Sequence, residues 1–456
     1  MRETLNRAQP PAPEKPRPFH FPSFDRFTMD NNLQILVAHN TDIPIVDVHL
    51  CIHCSPLCDP ADKEGLAFLM AELLTEGTGN RNSEAISNAF EFLGAQYGSF
   101  ADWNAVHVQF NVSTRHLAEA FEVFADLVQH STFPIEDFKR IKKETLIDRL
   151  RVSDNPAKLA GEGFAQALYN NYRYSLPREG TRETLERISI EDVRAFYAQN
   201  MTAKNATLIF AGDITKEKVL ALSEKYLGNW PEGDKAQVAP MHFDIPMRNE
   251  LYLIHKPGAA QTELRMGHLG IDATNAHKHA VSLMNEILGG YFLSRINMNL
   301  REEHGYTYGA HSYFASRKRT GPFVIAAAIE SRFIAEAIRE VFKEVNALRE
   351  RPVDTETLQN AKGYLMGVFP IVFETVDQIA MALSNITVLD LPDDYYQTYR
   401  DKIAALGAHD IQQAAQKYLH PGQMQIVVVG DRTEIEAKLK KDFNVHVLDV
   451  NGIAIE

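Results

Sequence analysis

Three cysteines and two tryptophans in 456 residues are few, and all three cysteines fall within eight positions, at Cys51, Cys54 and Cys58. A disulfide framework, which spreads its cysteines along the chain, is thereby excluded. No apolar run reaches the length needed to span a bilayer. An excess of positive charge is also missing. The formal net charge is −13, so nucleic acid, whose phosphates such a surface would repel, is not expected as the main partner. What remains is 45% hydrophobic and 23% charged residues, the composition of a globular protein too long for one ordinary core.

The first 22 residues read as a loose arm, with Glu3, Glu14 and five prolines by residue 18. They have neither the apolar centre of a secretory signal nor the acid-poor amphipathic pattern of a transit peptide. A cytoplasmic location is the expectation, or a periplasmic one if a leader has been removed.

One stretch is informative for ligands it does not have. In EGLAFLMAELLTEGT, Leu66, Leu69, Met70, Leu73 and Leu74 form one apolar helical stripe, with Gly77 as a stop. Phe68, Ala71 and Glu72 share a second face. His-x-x-Glu-His in this frame would aim two imidazoles and a general base at one zinc ion. A phenyl ring and an alanine bind no metal, so the helix has the spacing of a zinc helix and not its ligands.

The richest metal-like composition lies elsewhere, in HLCIHCSPLC. His49, Cys51 and His53 alternate along an apparent strand and share a face that excludes Cys54. Because no second Cys/His pair follows at a suitable spacing, the cluster reads as reduced strand cysteines, with a metal-binding protein as a competing reading. His277 and His279, two apart at a helix start, cannot share a helix face and read as solvated.

Taken in order, the pattern predicts a hairpin over 27–37 turning at Asp30-Asn31-Asn32, a strand over 43–54, the helix just described, and a helix from Ser83 stopped by Gly94. Val106, Val108, Phe110 and Val112 mark a half-buried strand. Helices follow over 115–130, 135–152, 156–170 and 190–200, then a strand over 206–211 and a helix over 215–227. Residues 231–248, rich in proline, read as a linker.

The second half repeats the first. Leu69-Met70-Ala71-Glu72-Leu73-Leu74 returns 214 positions on as Leu283-Met284-Asn285-Glu286-Ile287-Leu288. Asp192-Val193 and Gly212-Asp213 return 218 positions on as Asp410-Ile411 and Gly430-Asp431. Three matches in one order indicate duplication. The expected fold is α+β, with two duplicated domains, 23–230 and 249–456, each a mainly antiparallel sheet packed with helices.

A duplicated α+β chain opening on KEGLAFLMAELLTEGT resembles the insulinase-like (pitrilysin, mitochondrial processing peptidase) zinc metallopeptidases, over nearly its whole length. The resemblance puts the zinc histidines on Phe68 and Glu72 and the catalytic glutamate on Ala71. The third ligand falls within 144–149, where Asp148 is the nearest carboxylate. No metal is expected in this chain. A second signature is intact: Leu300-Arg301-Glu302-Glu303-His304-Gly305-Tyr306-Thr307-Tyr308, after Gly289-Gly290 and Leu293-Ser294-Arg295. It implies that Arg301 and Tyr308 reach across to a facing zinc site.

The implied role is the zinc-free half of a clamshell. It would be inactive alone and paired as a heterodimer with a related subunit that carries His-x-x-Glu-His and the zinc, acting on peptide substrates. The long glycine-rich loop of the mitochondrial processing peptidase alpha subunit is reduced here to Gly289-Gly290. A structural core subunit, as in the respiratory-complex relatives, is the alternative; a retained Arg301/Tyr308 pair favours the peptidase role, since a scaffold has no need of it.

Overall fold

A computed structural model describes residues 17–238, 244 and 246–455. Twelve strands among these residues form two six-stranded mixed sheets. The first uses β1 (Phe24–Thr28), β2 (Gln34–His39), β3 (Ile45–Ile52), β4 (Gln96–Ala101), β5 (Val106–Ser113) and β6 (Ala206–Gly212), in the order β1-β2-β6-β3-β5-β4. The second uses β7 (Glu250–His255), β8 (Gln261–Leu269), β9 (Thr307–Phe314), β10 (Pro322–Glu330), β11 (Gln425–Gly430) and β12 (Val445–Leu448), in the order β12-β7-β11-β8-β10-β9.

Five strands of each sheet superpose in order and sense. β2 runs parallel to β6 as β7 does to β11, and the remaining neighbours, β6-β3-β5-β4 and β11-β8-β10-β9, are antiparallel. The sixth strand differs. β1 pairs antiparallel with β2, whereas β12 pairs parallel with β7. The β1–β2 hairpin turns where the sequence places it, with Asn32 at φ +65°, a conformation asparagine tolerates.

On one face of each sheet lies the core of its own half. Leu66, Leu69, Met70, Leu73 and Leu74 all join the first core with exposure of 2% or less. The opposite face is covered by a helix from the other half. Val376–Val388 lays Ile379, Ala380, Leu383 and Ile386 on Leu36, Ala38, Cys51, Ile209 and Ala211 of the first sheet. Reciprocally, Pro156–Tyr169 lays Leu159, Ala160, Phe164 and Leu168 on Ile254, Val324, Val427 and Val429 of the second. This exchange explains why β6 and β11, ATLIFAG and QIVVVG, are buried along their entire length: a strand covered on both faces needs an unbroken apolar run. Along β5 the expected half-buried alternation holds at Gln109, Asn111 and Ser113, which stay partly exposed, and fails only at His107, which is 2% exposed.

Other expectations change as well. The Leu66–Leu73 helix ends before Gly77, whose place next to the Pro134 ring leaves no room for a Cβ. The edge strand β4 is absent from the sequence reading, because QYGSFA has no clean alternation. Residues 1–16 and part of the linker (239–243 and 245) lie outside the described residues. The end of the proposed arm is packed: Phe21 is 2% exposed and meets Phe373 edge-on at 5.1 Å. The linker begins on the first half, where the Pro231 and Glu232 carbonyls accept from the Ala203 and Lys204 amides at 2.9 Å.

Leu383 is fully buried against strands of the other half. Leu383→Ala is expected to cost about 2–5 kcal/mol and to lower amide-exchange protection in β3 and β6, more than 120 residues away in sequence. Loss confined to the surroundings of the 376–388 helix would contradict the exchange.

Candidate functional site

The Leu66–Leu73 helix is held at its start by a buried carboxylate. Asp59 accepts from the Gly65 and Ala67 amides, both at 2.8 Å, and pairs with Arg173 at 3.1 Å. Two of the helix's four free N–H groups are thereby satisfied. Burial outweighs these partners and raises the Asp59 carboxyl to about 6. Gly65 is required at φ +104°, and a Cβ there would lie 2.4 Å from the Glu179 carbonyl oxygen.

Between this helix, the Ile135–Leu150 helix and β4 is a cavity of about 480 Å³, lined among others by Phe68, Glu72, Ser99, Glu144 and Asp148. Its place is that of a metal site, and its residues do not fit one. Phe68 fills the position of a ligand, and Ala71 is fully buried behind the cavity, its carbonyl accepting from Ser99 Oγ at 2.6 Å. Arg140 takes Glu76 at 2.6 Å and Glu144 at 3.4 Å, while Asp148, the sequence candidate for a third ligand, faces Arg151 at 3.4 Å. Burial raises the Glu72 carboxyl above its ordinary range, leaving a poorer anion where an imidazole would be needed. Every lining residue lies between Phe68 and Asp148, so Arg301 and Tyr308 do not reach this chain's own cavity.

Arg301 and Tyr308 lie at the free edge of the second sheet. Arg301 belongs to a wide helical turn, Met298–Glu303, anchored by Asn299 Nδ2, which donates to Glu340 at 2.9 Å and Glu344 at 3.0 Å. Its guanidinium lies 4.7 Å from the centre of the Phe292 ring and 3.3 Å from Glu302. Gly305, at φ +67°, then turns the chain into β9. β9 is clamped through Asn285, which donates to the Ser312 carbonyl at 3.0 Å and accepts from Ser312 Oγ at 2.8 Å. The close approach is possible because Gly289 has no Cβ: one would lie 2.4 Å from Ser312 Oγ.

The register of β9 on β10 shifts between Ala327 and Ile329, so Tyr308 and Gly309 together face one partner residue. Thr307 Oγ1 closes this bulge by donating to the carbonyls of Ala328 at 2.7 Å and Gly309 at 2.9 Å. A bulge re-aims the side chain at its extra position. Tyr308 is 89% exposed, and its hydroxyl has no hydrogen-bond partner among the described residues. Phe292 and Leu293, 55% and 56% exposed, add apolar surface on the same segment.

Two other histidine and cysteine expectations meet the structure differently. His279 is not solvated: it is 9% exposed, rests on Tyr395 and Tyr399, and burial lowers its ring to about 4. All three cysteines are free, and Cys51 does face away from Cys54, which packs in the first core. His49 and Cys51 are joined there by His107 from β5. Nothing in the spacing of the sequence links His107 to them, because cross-strand register is tertiary information.

The chain thus combines two duplicated α+β halves, one with a helix in the frame of a zinc helix but with Phe68, Ala71 and Glu72 in place of its ligands, the other with Arg301 and an exposed Tyr308 at a sheet edge. Two family models lie end to end along the chain: insulinase (peptidase family M16) over 34–182 and the peptidase M16 inactive domain over 187–365. The chain belongs to this family. An uncharacterized zinc protease, YmxG, of Bacillus subtilis is 22% identical, over 77% of this chain and 85% of its own length. A "non-peptidase homolog YmxG" of Helicobacter pylori is 20% identical over 87% and 92%. Among solved structures, a peptidase M16 inactive domain from Pseudomonas fluorescens superposes with a TM-score of 0.84 and 25% identity, covering 90% of this chain and 98% of that one. A complex III assembly from Candida albicans contains a chain similar in fold at TM-score 0.76 and 15% identity, over 89% and 95%.

Glu286 stands at the duplicate of Glu72 and is 8% exposed, with Oε1 unpaired. Burial raises its carboxyl from 4.5 to about 7. A raised acid binds its proton more tightly in the folded chain, so its contribution to stability is complete below pH 4.5 and is lost as pH rises through about 7. Glu286→Gln is expected to flatten that decline in denaturation midpoints measured across this window. An unchanged pH slope would show that the carboxyl is not the group responsible.

Proposed function

We propose that this chain is the zinc-free subunit of a heterodimeric zinc metallopeptidase, contributing Arg301 and Tyr308 in trans to the site of a related subunit that carries His-x-x-Glu-His. The observation that carries the reading is Tyr308, pushed out of an edge strand by a bulge, 89% exposed, with no hydrogen-bond partner for its hydroxyl among the described residues. Phe292, on which Arg301 stacks, and Leu293 are also more than half exposed, apolar surface of the kind a second chain would cover. The inactive-domain and non-peptidase descriptions attached to the relatives agree with the empty Phe68/Ala71/Glu72 frame.

In this role a zinc ion held by the partner's His-x-x-Glu-His would supply Lewis acidity and an activated water. Tyr308 donates its hydroxyl to the substrate carbonyl oxygen as negative charge grows on it, a contact strongest in the transition state. Arg301, stiffened by its stacking on Phe292, presents a planar fork to peptide carbonyls or a carboxylate and keeps the substrate in line. Peptide and partner chain are the ligands; the partner contact is expected to bury roughly 2,000 Å² or more, as permanent interfaces do.

The purified chain alone should hydrolyse no peptide. In the assembled complex, Tyr308→Phe should lower kcat and kcat/KM together by about 10²–10³. Arg301→Ala should raise KM, and Arg301→Lys should restore it only in part. Wild-type kinetics for Tyr308→Phe, with folding and pairing intact, would remove the catalytic role and leave a structural core subunit as the better account.

A further inference from the structure

A second cluster of ligand-type side chains lies across the first sheet from the empty frame, on the face covered by the 376–388 helix. The register of β3 on β5 sets Cys51 opposite His107, and His49 is two residues along on the same face. His49, Cys51 and His107 are 1%, 0% and 2% exposed. Their donor atoms all lie within 4.8 Å of one another, and His49 Nε2 is 2.9 Å from His107 Nδ1, with the two rings at 88°. We propose that His49, Cys51 and His107 form a buried binding site for a borderline-soft metal ion of the zinc class.

The donor chemistry, two imidazoles and one thiolate, is that of tetrahedral zinc. Zinc–nitrogen and zinc–sulfur bonds of about 2.0–2.1 Å and 2.3 Å place tetrahedral donors roughly 3.3–3.6 Å apart. The imidazole nitrogens would need to separate by only about 0.4 Å from where they stand. The surroundings resemble those of a metal site as well. On its other side the buried His107 Nε2 has no hydrogen-bond partner among the described residues and faces Asp102 Oδ2 at 3.6 Å, so a small approach on metal binding would complete the carboxylate–histidine arrangement that fixes a ligand's ring and raises its basicity. Asp102 is itself fixed by the Asn104 and Ala105 amides at 2.6 and 2.8 Å. Ser384 Oγ, from the second half, lies 2.9 Å from Cys51 Sγ and is an oxygen within reach of a fourth position. Two histidines and a thiol enclosed among Ala105, Ile209 and Leu383 make a poor apolar core and a good closed metal site. The site is distinct from the Phe68/Glu72 frame and independent of any peptidase role.

Because the ligands are buried, metal should enter as the chain folds. The full chain, unfolded under reducing conditions and refolded with cobalt(II), is expected to bind one ion and show a thiolate-to-cobalt charge-transfer band in the near ultraviolet. Cys54→Ser and Cys58→Ser should keep the band, Cys51→Ser should lose it, and Asp102→Asn should weaken binding by about 10–100-fold. Should Cys51→Ser fail to fold, X-ray absorption on the zinc-refolded wild type decides: one sulfur and two imidazole nitrogens are expected. Wild type refolding without bound metal, a coordination shell without sulfur, or a band that persists in Cys51→Ser would overturn the assignment.

Discussion

Everything in this chain rests on the exchange of one helix between its halves. A sheet face of aliphatic residues must be covered, and neither half covers its outer face alone. Val376–Val388 and Pro156–Tyr169 do it for one another. The result is that central strands β6 and β11 are dry on both sides, and that the edge strands β4, beside the Leu66–Leu73 helix, and β9, which carries Tyr308, are left open. Contacts made elsewhere set where those edges sit.

The duplication also shows how the halves diverged. Glu72 and Glu286 occupy equivalent positions, each pushed upward by burial. Around the first, a metal-helix frame survives as shape only, held by Asp59, Gly65 and Ser99 rather than by an ion. Around the second, the equivalent helix runs into wide turns at 286–290 and 298–303. Such turns are frequent at functional sites, and here they carry Phe292 and Arg301 to the surface.

How much of this was legible beforehand depended on range. The apolar stripe Leu66–Leu74, the β1–β2 hairpin and most first-half helices follow from local period and caps, and the duplication follows from repeated hexamers. The Arg301 and Tyr308 positions were readable only as a motif; the bulge that presents Tyr308 depends on register against β10. His279, read as solvated, lies against Tyr395 and Tyr399 of a helix from far along the chain, and His107, one of the polar positions of β5, is buried among His49, Cys51 and Phe100 of its neighbouring strands. The same distance hid the convergence of His107 with His49 and Cys51.

The burial of Ala71 bears on the history of the site. Its side chain points into the packed core, and Ser99 has taken up the carbonyl behind it. A glutamate restored there would bury a carboxylate with no partner, a penalty of several kcal/mol, while Arg140 and Arg151 already hold neighbouring acids. The packing around Ala71 therefore works against single substitutions toward the metal-binding frame, each of which would harm the fold before it could help catalysis.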